Sequence, residues 1–165
     1  MRIGILSDTH DQVARTIQAV DLLRAQGAET LIHCGDITTP DVIAACSSLR
    51  CHYVMGNNDF DVDNLRAAIA SSGGVFLGSG GLVELGGKRI AVAHGDLPHV
   101  VRRLEDDSPD YLLSGHTHVA DDRRQGATRW INPGALSRAA RWTAAVLDLD
   151  SDRLHWIEIE HKKRH

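Results

Sequence analysis

The chain opens with Arg2-Ile3-Gly4-Ile5-Leu6-Ser7-Asp8-Thr9-His10, in which a short apolar run stops abruptly at polar residues. Such a run is typical of a buried β-strand that leads into a loop. Leu31 to Cys34 stops in the same way at Gly35-Asp36, and residues 12–26 between the two runs carry apolar residues at helical spacing. The pattern predicts a βαβ unit whose parallel strands end in polar loops, which is where open α/β sheets bind ligands.

The remaining segments predict a second sheet. A helix that starts at Pro40 leads to a third strand, and another helix is predicted over residues 63–71. After that helix the sequence changes to short strands separated by glycines, and Gly86-Gly87 predicts a hairpin. Two facing sheets with helices outside would bury these segments and give an α/β fold. The other predicted segments are strands at 52–55, 88–94 and 111–114, a helix at 98–104, a polar loop at 121–126, and a closing antiparallel set at 128–131, 144–149 and 154–159.

The length and composition predict a single globular domain. A chain of 165 residues is long enough for one core and too short for two full domains, so we expect one domain over residues 1–165 without a cap domain. Apolar residues make up 42% of the chain and charged residues 24%, as in ordinary globular proteins. The net charge of −4 provides no basic field for bulk nucleic-acid binding, and the basic segment 162–164 is predicted to be solvated surface.

The cysteines and the hydropathy pattern indicate where such a protein would reside. Cys34, Cys46 and Cys51 are not spaced as a CxxC motif, which argues against a disulfide framework and a thiolate zinc site and fits a reducing compartment. No apolar run approaches the roughly twenty residues of a membrane span. Asp8 and His10 come too early for a signal-peptide core. We therefore expect no membrane association and a cytoplasmic location.

Pairs of candidate metal ligands recur after the predicted strands. Asp8 and His10 lie two residues apart, so an extended backbone would send both side chains to the same face, and His116 and His118 repeat this spacing. A lone Asp after a strand is usually a cap or turn residue. Two pairs joined by further polar residues at strand ends are a stronger signal, and the whole set is large enough to hold two divalent ions. The additional residues are Asp36, Asn57 and His94.

The ligand types indicate which metals and substrates such a site would take. A carboxylate can bridge two cations through its two oxygens, whereas an imidazole nitrogen holds one, so Asp36 is the natural bridge. With Asp8 and Asp36 as the only anionic ligands, two divalent ions keep a charge of about +2, which attracts an anionic phosphate. Mixed imidazole and oxygen ligands favour transition metals over calcium or magnesium. We expect Mn²⁺ first, with Ni²⁺, Fe²⁺, Zn²⁺ and Co²⁺ as alternatives.

Five fragments of this chain, taken in order, resemble the signature of the calcineurin-like metallophosphoesterases. They are Asp8-x-His10, Gly35-Asp36, Gly56-Asn57, His94 and Gly115-His116-x-His118. The similarity spans nearly the whole chain, and the short length together with Asn132-Pro133-Gly134 is similar to the small YfcE-type phosphodiesterase branch. The resemblance implies a four-layer αββα sandwich of two facing mixed β-sheets flanked by helices. It also implies a small phosphodiester or nucleotide-like substrate and is compatible with a homodimer.

The resemblance further assigns the ligands to two metal ions. It implies one ion held by Asp8, His10, Asp36 and His118, and a second held by Asp36, Asn57, His94 and His116. It implies hydrolysis by in-line attack of a hydroxide that bridges the two metals, which lower the pKa of that water and stabilise the growing charge on the phosphate. The residues expected to act in catalysis are Asp36, Asn57, Asn58 and His94.

Some positions depart from the family pattern. Many relatives carry His after the metal-binding Asn, where it contacts the phosphate or protonates the leaving group, but here that residue is Asn58. An amide cannot act as a general acid near neutral pH, so we expect activated esters to be cleaved faster than alkyl esters unless His99 or water supplies the proton. Asn58 and His99 are the expected substrate contacts. Asp11 replaces a common Gly and is expected to cap the next helix, and Asp59 either orients a metal ligand or holds a turn.

Two alternative functions stay open at the level of sequence. A phosphomonoesterase or pyrophosphohydrolase would use the same two metals, and motifs alone do not separate these activities. The retromer scaffold subunit resembles this same fold but serves mainly to bind partner proteins. A scaffold function predicts that some metal ligands are replaced by residues that cannot bind metal. None of the ligands named above is replaced in this sequence.

Overall fold

The structure is a computed structural model that describes residues 1–160, which form two β-sheets and four helices. The basic segment 162–164 lies outside the described residues. The strands are β1 (Arg2–Leu6), β2 (Thr30–His33), β3 (Cys51–Tyr53), β4 (Val75–Phe76), β5 (Gly80–Leu85), β6 (Lys88–Ala93), β7 (Tyr111–Leu113), β8 (Asp121–Gln125), β9 (Thr128–Asn132), β10 (Thr143–Asp148) and β11 (Arg153–Glu158). The helices are α1 (Val13–Ala25), α2 (Pro40–Cys46), α3 (Val62–Ser71) and α4 (Pro98–Asp106).

The first sheet contains the predicted βαβ unit. Its strand order is β11-β10-β1-β2-β3-β4, with β1 to β4 parallel and with β10 and β11 added antiparallel beside β1. Ile5 pairs with Ile32, and Ile32 pairs with His52, so the parallel strands end at one common edge of the sheet. Helix α1 connects β1 to β2, and α2 connects β2 to β3, which confirms the predicted alternation of strand and helix.

The second sheet has the order β5-β6-β7-β9-β8. Strands β6, β7 and β9 are parallel, and the two edge strands β5 and β8 are antiparallel to their neighbours. The predicted hairpin joins β5 to β6, with Leu85 paired to Lys88. Gly86 and Gly87 form its turn with φ angles of 55° and 73°, a region that glycine enters without steric cost.

Alternating side chains of β1 divide the core into layers. Ile3 and Ile5 face the second sheet and pack with its buried apolar residues, whereas Leu6 faces the helices. Gly4 lies on the helix side as well. A Cβ atom there would lie 2.8 Å from Leu31 Cδ2, so glycine at this position lets the helical layer approach the strand closely. The alternation of side chains along β1 therefore determines how this strand packs against the second sheet on one face and against the helices on the other.

The helices cover the outer faces of both sheets. Helix α4 packs on the second sheet through Val100 and Leu104, which contact Ala91 and Leu112 in a separate apolar cluster. The layers accordingly run helix, sheet, sheet, helix, which confirms the αββα sandwich. No helix within residues 1–160 is both long and apolar enough to cross a membrane.

The structure corrects two predictions for the last third of the chain. Residues 121–125, predicted as a polar loop, form edge strand β8, which pairs antiparallel with β9. Charged side chains suit this position because they discourage an exposed edge from pairing with another chain. Residues 128–131 are predicted to share one antiparallel set with the last two strands. Instead, β9 lies in the second sheet, parallel to β7, while β10 and β11 lie in the first sheet.

Candidate metal centre

The predicted ligands meet at one edge of the sandwich. Asp8 follows β1 and Asp36 follows β2, and backbone hydrogen bonds join their loops, from Asp8 N to Gly35 O (3.0 Å) and from His10 N to Asp36 O (3.1 Å). Because parallel strands end at the same edge, consecutive strands bring their following side chains to one place. The loop after β3 adds Asn57. The loops after β6 and β7 of the second sheet add His94, His116 and His118.

Several of these residues have left-handed backbone conformations, which are uncommon outside glycine. The φ angles are 53° at Asp8, 39° at His10, 57° at Asp36, 70° at His116 and 61° at His118. The prediction that Asp8 and His10 project from an extended segment is therefore wrong. The two side chains still converge, with His10 Nε2 3.9 Å from Asp8 Oδ1, because the turned backbone brings them together. Backbone conformations of this kind cost of order 1–3 kcal/mol each and are typical of functional sites.

Four side chains form a first ligand group. Its candidate ligand atoms all lie within 4.8 Å of one another. His10 Nε2 is 3.3 Å from Asp36 Oδ2, and His118 Nε2 is 3.1 Å from Asp8 Oδ1. The members are Asp8, His10, Asp36 and His118, of which the first three are buried. We refer to them below as the first group.

A second ligand group lies beside the first. Asn57 Oδ1 is 3.1 Å from His94 Nε2 and 3.2 Å from His116 Nδ1, so the amide oxygen faces both rings. His94 Nε2 is in turn 3.4 Å from Asp36 Oδ2. The second group therefore consists of Asn57, His94, His116 and the shared Asp36. The structure thus brings together all the side chains that the resemblance assigns to metal.

One oxygen of Asp36 joins the two groups. Asp36 Oδ2 faces His10 on one side and His94 on the other, at 3.3 Å and 3.4 Å. Asp36 Oδ1 accepts a hydrogen bond from Asn58 N at 2.9 Å. The sequence argument expects each oxygen to serve one cation, but this geometry presents the same oxygen to both groups. Asn58 Nδ2 also donates to Asp36 Oδ2 at 2.9 Å, so Asn58 helps to fix the carboxylate plane.

Backbone carbonyls orient two of the histidine rings. His94 Nδ1 lies 2.7 Å from Cys34 O, and His118 Nδ1 lies 3.2 Å from Arg138 O. A carbonyl only accepts hydrogen bonds, so Nδ1 must carry the proton in both rings. Nε2 of each ring is thereby directed towards the carboxylates, which is the usual orientation of a metal-binding histidine.

The polar groups of the site fit a bound cation. Asp8 Oδ1 and His10 Nε2 are both buried and have no hydrogen-bond partner among residues 1–160. Buried polar atoms normally have partners, so two adjacent exceptions require an explanation. Both atoms are good ligands for a divalent transition metal, and a cation between them would satisfy both.

Charges in the site perturb the ionisable groups. Burial opposes the charged form of His94, but the Asp36 and Asp8 carboxylates outweigh it and raise the pKa of His94 to about 9. Burial likewise opposes ionisation of Asp36, yet hydrogen bonds from His94 and Asn58 lower the pKa of this carboxyl well below its usual range. Burial lowers the pKa of His10, and the positive charge of Arg138 acts in the same direction against the attraction of Asp36. The ionised Asp36 carboxylate therefore attracts positive charge into the site.

The buried carboxylate of Asp59 holds the loops that present Asp36 and Asn57. It accepts hydrogen bonds from four backbone N–H groups that belong to two loops. Burial raises the pKa of Asp59 although these bonds stabilise its ionised form. Of the two roles that the sequence leaves open for Asp59, the contacts favour orientation of the ligand-bearing loops. The donors are Asp36 N (2.9 Å), Ile37 N (2.8 Å), Thr38 N (2.7 Å) and Gly56 N (2.7 Å).

The loop after β7 is fixed by two contacts, one with Asp8 and one with the Asn-Pro-Gly turn. Asp8 Oδ2 accepts hydrogen bonds from Ser7 Oγ (2.6 Å) and His116 N (3.1 Å). Asn132 Nδ2 donates to Gly115 O at 2.9 Å. A Cβ atom on Gly115 would lie 2.0 Å from Ser7 Oγ, so only glycine allows this close approach. The turn therefore acts on the site through the loop that carries His116.

Three other predicted positions lie around the ligand groups. Asn58 contacts Asp36, as described above, whereas His99 is an exposed residue of α4 with no hydrogen bond to the ligands within residues 1–160. The prediction that Asp11 caps α1 is wrong. Helix α1 has no side-chain cap, and Asp11 has a φ of 62°, whereas N-cap residues usually adopt extended φ and ψ angles. Asp11 instead lines two clefts that open beside His10.

Sequence reasoning missed Arg138. Its carbonyl oxygen orients His118, and its side chain lines the two clefts beside His10. The sequence signal available for this residue was its position four residues after Asn132-Pro133-Gly134, in the segment that follows a turn already associated with the site.

Comparison with known proteins identifies the family of this chain. The family model described as "Calcineurin-like phosphoesterase superfamily domain" matches residues 1–152. The chain is 26% identical to Phosphodiesterase MJ0936 of Methanocaldococcus jannaschii over 163 residues, which covers 96% of this chain and 98% of that protein.

Solved structures show the same architecture. A structure of an archaeal phosphodiesterase superposes with a TM-score of 0.87 at 26% identity, covering 96% of this chain and 99% of that one. The phosphoesterase Yfce from E. coli superposes with a TM-score of 0.73 at 21% identity, covering 97% and 100% of the two chains, a likeness that concerns the fold alone. The chain therefore belongs to the calcineurin-like phosphoesterase superfamily.

Proposed function

We propose that this protein is a phosphodiesterase that depends on two divalent metal ions. The observation that carries the proposal is the single Asp36 oxygen that faces both ligand groups, at 3.3 Å from His10 Nε2 and 3.4 Å from His94 Nε2. Two adjacent groups that share a carboxylate oxygen suit a pair of cations, and paired cations are a common means of cleaving phosphate esters. The archaeal phosphodiesterase relative supports the diester as substrate class.

The side chains of the two groups have separate roles in this proposal. The first group would hold one ion, and the second group would hold the other. Ions held there would lower the pKa of a water molecule and neutralise the charge that builds up on the phosphate. The His94 ring is fixed by its hydrogen bond to Cys34 O and faces Asn57, so this ring needs little reorganisation when a cation binds. We expect manganese first because imidazole and oxygen ligands are mixed, with Ni²⁺, Fe²⁺, Zn²⁺ or Co²⁺ as alternatives.

The reaction is hydrolysis of a diester to a monoester and an alcohol. A hydroxide generated from water attacks phosphorus in line with the leaving oxygen, the bond from phosphorus to that oxygen breaks, and the departing alkoxide takes up a proton. Asn58 stands next to the ligand Asn57 and is already bonded to Asp36 through both its backbone and its side-chain N–H groups. An amide has no proton to give at neutral pH, so Asn58 orients Asp36 and does not protonate the leaving group.

The absence of a general acid at Asn58 predicts a strong dependence on the leaving group. Aryl diesters release a phenolate that needs little protonation, whereas alkyl diesters release a strongly basic alkoxide. We expect bis-p-nitrophenyl phosphate to be hydrolysed at least about 100-fold faster than an alkyl diester, a typical contribution of general acid catalysis. Steady-state rates on matched aryl and alkyl diesters measure this ratio. Equal rates would assign an efficient proton donor to the site and contradict the role given to Asn58.

The proposal is tested by hydrolysis with metal-stripped protein. Bis-p-nitrophenyl phosphate and p-nitrophenyl phosphate are compared after resupply of manganese, nickel, zinc or magnesium, with Asp36→Ala as the inactive variant. Asp63→Ala, which changes an exposed carboxylate on α3, serves as the matched control. We expect diester cleavage that is restored by a transition metal, abolished by Asp36→Ala and unchanged by Asp63→Ala. Preferred cleavage of the monoester would indicate a phosphomonoesterase, and no turnover with any metal despite an intact fold would favour a binding or scaffold role.

A further inference from the structure

An arginine without an acidic partner lies beside the first ligand group. Arg138 has a φ of 51°, and its carbonyl oxygen is bound to the His118 ring, so its backbone position is fixed relative to the ligands. The Arg138 side chain is exposed and takes part in no ion pair within residues 1–160. The nearby Arg141, by comparison, is paired with Glu158. Arg138 therefore offers a free guanidinium close to the ligand groups.

Two clefts meet at Arg138. One has a volume of about 370 Å³ and the other about 320 Å³, and both are lined by His10, Asp11 and Arg138. The second is also lined by Asn58. Arg138 thus stands where a group bound at the first ligand group would emerge towards solvent. Asp11, the acidic residue common to both clefts, accepts a hydrogen bond from Gln12 Nε2 at 3.1 Å and forms no ion pair with Arg138.

The residue before Arg138 places a buried hydroxyl group in the larger of the two clefts. Ser137 is 5% exposed, its Oγ has no hydrogen-bond partner among residues 1–160, and it lines the 370 Å³ cleft. The other arginine of this cleft is already engaged, since Arg15 donates to Leu136 O and stacks 3.2 Å above the centroid of the Trp142 ring. Ser137 and Arg138 are therefore two donors in this cleft that have capacity for a ligand.

We propose that Arg138, assisted by Ser137, binds the two non-bridging oxygens of the substrate phosphate. A guanidinium fork matches two phosphate oxygens geometrically, and hydrogen bonds between charged groups are the stronger ones. Arg138 would thus add a charged phosphate contact beside Asn58, which uses its backbone N–H and one side-chain N–H on Asp36. This inference rests on the proposed phosphodiesterase function.

The test compares Arg138→Gln and Arg138→Lys with the matched control Arg141→Gln in the full-length, manganese-loaded protein. Three quantities are measured: KM and kcat for bis-p-nitrophenyl phosphate, the dissociation constant of inorganic phosphate by calorimetry, and the affinity for Mn²⁺. We expect Arg138→Gln to lower kcat/KM and phosphate affinity by roughly 10- to 100-fold, the range for a lost charged hydrogen bond. Arg138→Lys should lose less, because it keeps the charge and lacks the fork. Mn²⁺ affinity and the Arg141→Gln values should stay within about twofold of wild type.

Defined results would overturn the inference. Wild-type KM and phosphate affinity in Arg138→Gln would show that the guanidinium does not contact phosphate. A matching loss of Mn²⁺ affinity would show that the residue acts only by holding the loop of His118. If the wild-type protein hydrolyses no ester, the proposed function fails, and the phosphate titration still decides the role of Arg138 by itself.

Discussion

Each oxygen of the Asp59 carboxylate accepts two backbone N–H groups, those of Asp36 and Gly56 on Oδ2 and those of Ile37 and Thr38 on Oδ1. In Asp59→Asn an NH₂ group replaces one oxygen, so two buried N–H donors face another donor whichever way the amide is turned. Each unsatisfied buried group costs about 1–3 kcal/mol, so we expect the free energy of unfolding to fall by about 2–6 kcal/mol in urea denaturation.

Asp61→Asn is the matched control for Asp59→Asn. Asp61 is exposed and caps α3 through Asn64 N at 3.4 Å, and Asn is as good an N-cap residue as Asp. Its free energy of unfolding should change by less than about 0.5 kcal/mol. Equal stability of the two variants would mean that the four hydrogen bonds of Asp59 do not hold the loops.

Gly115 sets the distance between the loop of His116 and the loop of Asp8. A Cβ atom on Gly115 would lie 2.0 Å from Ser7 Oγ and 2.6 Å from Asp8 Oδ2. Gly115→Ala must therefore displace the hydrogen bond between Ser7 and Asp8, and we expect a loss of metal affinity of roughly 10- to 100-fold, as for other supporting contacts of metal ligands. Calorimetric titration with Mn²⁺ measures this loss.

Gly81→Ala separates this steric effect from a general cost of replacing glycine. A Cβ atom on Gly81 would lie 3.3 Å from Leu77 Cβ, and its nearest neighbours all belong to Leu77 and not to a ligand, so Mn²⁺ affinity should be unchanged. A Gly115→Ala protein that binds Mn²⁺ as tightly as Gly81→Ala would contradict the role of Gly115.

The sequence predicts the candidate ligands better than the contacts that orient them. Each candidate ligand, such as Asp36 or His94, follows an apolar run that can be recognised locally, and the structure places these side chains together. Their assignment to metal stays a prediction. The partnership of Asp59 with Asp36 joins residues 23 positions apart, and the left-handed backbone of Asp8 depends on its surroundings. Neither feature leaves a local pattern, so neither could be predicted from spacing.

At the level of elements, Arg129 of β9 forms hydrogen bonds that link this strand to β8 and to the turn before β11. Its guanidinium donates to both oxygens of Asp122 (2.9 and 2.8 Å) and to Asp152 Oδ1 (2.7 Å). The hydrogen bond from Arg129 is the main reason that the pKa of Asp122 is lowered. A carboxyl with a lowered folded-state pKa contributes stability above its unfolded pKa and loses it as the pH falls through the folded pKa.

Arg129→Met removes these charged hydrogen bonds. We expect it to lower the free energy of unfolding by about 1–3 kcal/mol at pH 7, and the gap to wild type should narrow as the pH falls below about 4. Urea denaturation across this pH range measures both effects. Arg153→Met, at an exposed position of β11, should change stability by less than about 0.5 kcal/mol. A gap that stays constant down to pH 2 would contradict the part played by Asp122.

Strand β8 also shows why some strands could not be predicted from the sequence. Asp121-Asp122-Arg123-Arg124-Gln125 has no apolar alternation, because an edge strand needs no buried face. Its strand character comes from pairing with β9 and from contacts such as Arg123 lying 4.8 Å from the centroid of the Trp130 ring. These interactions depend on the partner strand, which a local reading of the sequence does not contain.

At the scale of the whole molecule, the layer order follows from the sequence more directly than the sheet membership of individual strands. The βαβ pattern and the glycine-separated strands predict two sheets with helices outside, as observed. The membership of β9 and β10 could not be predicted, because parallel and antiparallel neighbours leave similar apolar runs. The resulting sandwich takes candidate ligands from both sheets, so metal binding would link the two halves of the fold.

Counting the metal ions that support activity tests the account most directly. Metal-stripped protein is titrated with Mn²⁺ while bound metal per chain and hydrolysis of bis-p-nitrophenyl phosphate are measured on the same samples, with Asp63→Asn as the control for Asp36→Asn. The account predicts that activity reaches its plateau only when two ions are bound per chain, and that Asp36→Asn weakens both binding steps because Asp36 Oδ2 faces both ligand groups. Full activity with one ion bound, or two undisturbed binding steps in Asp36→Asn, would contradict it.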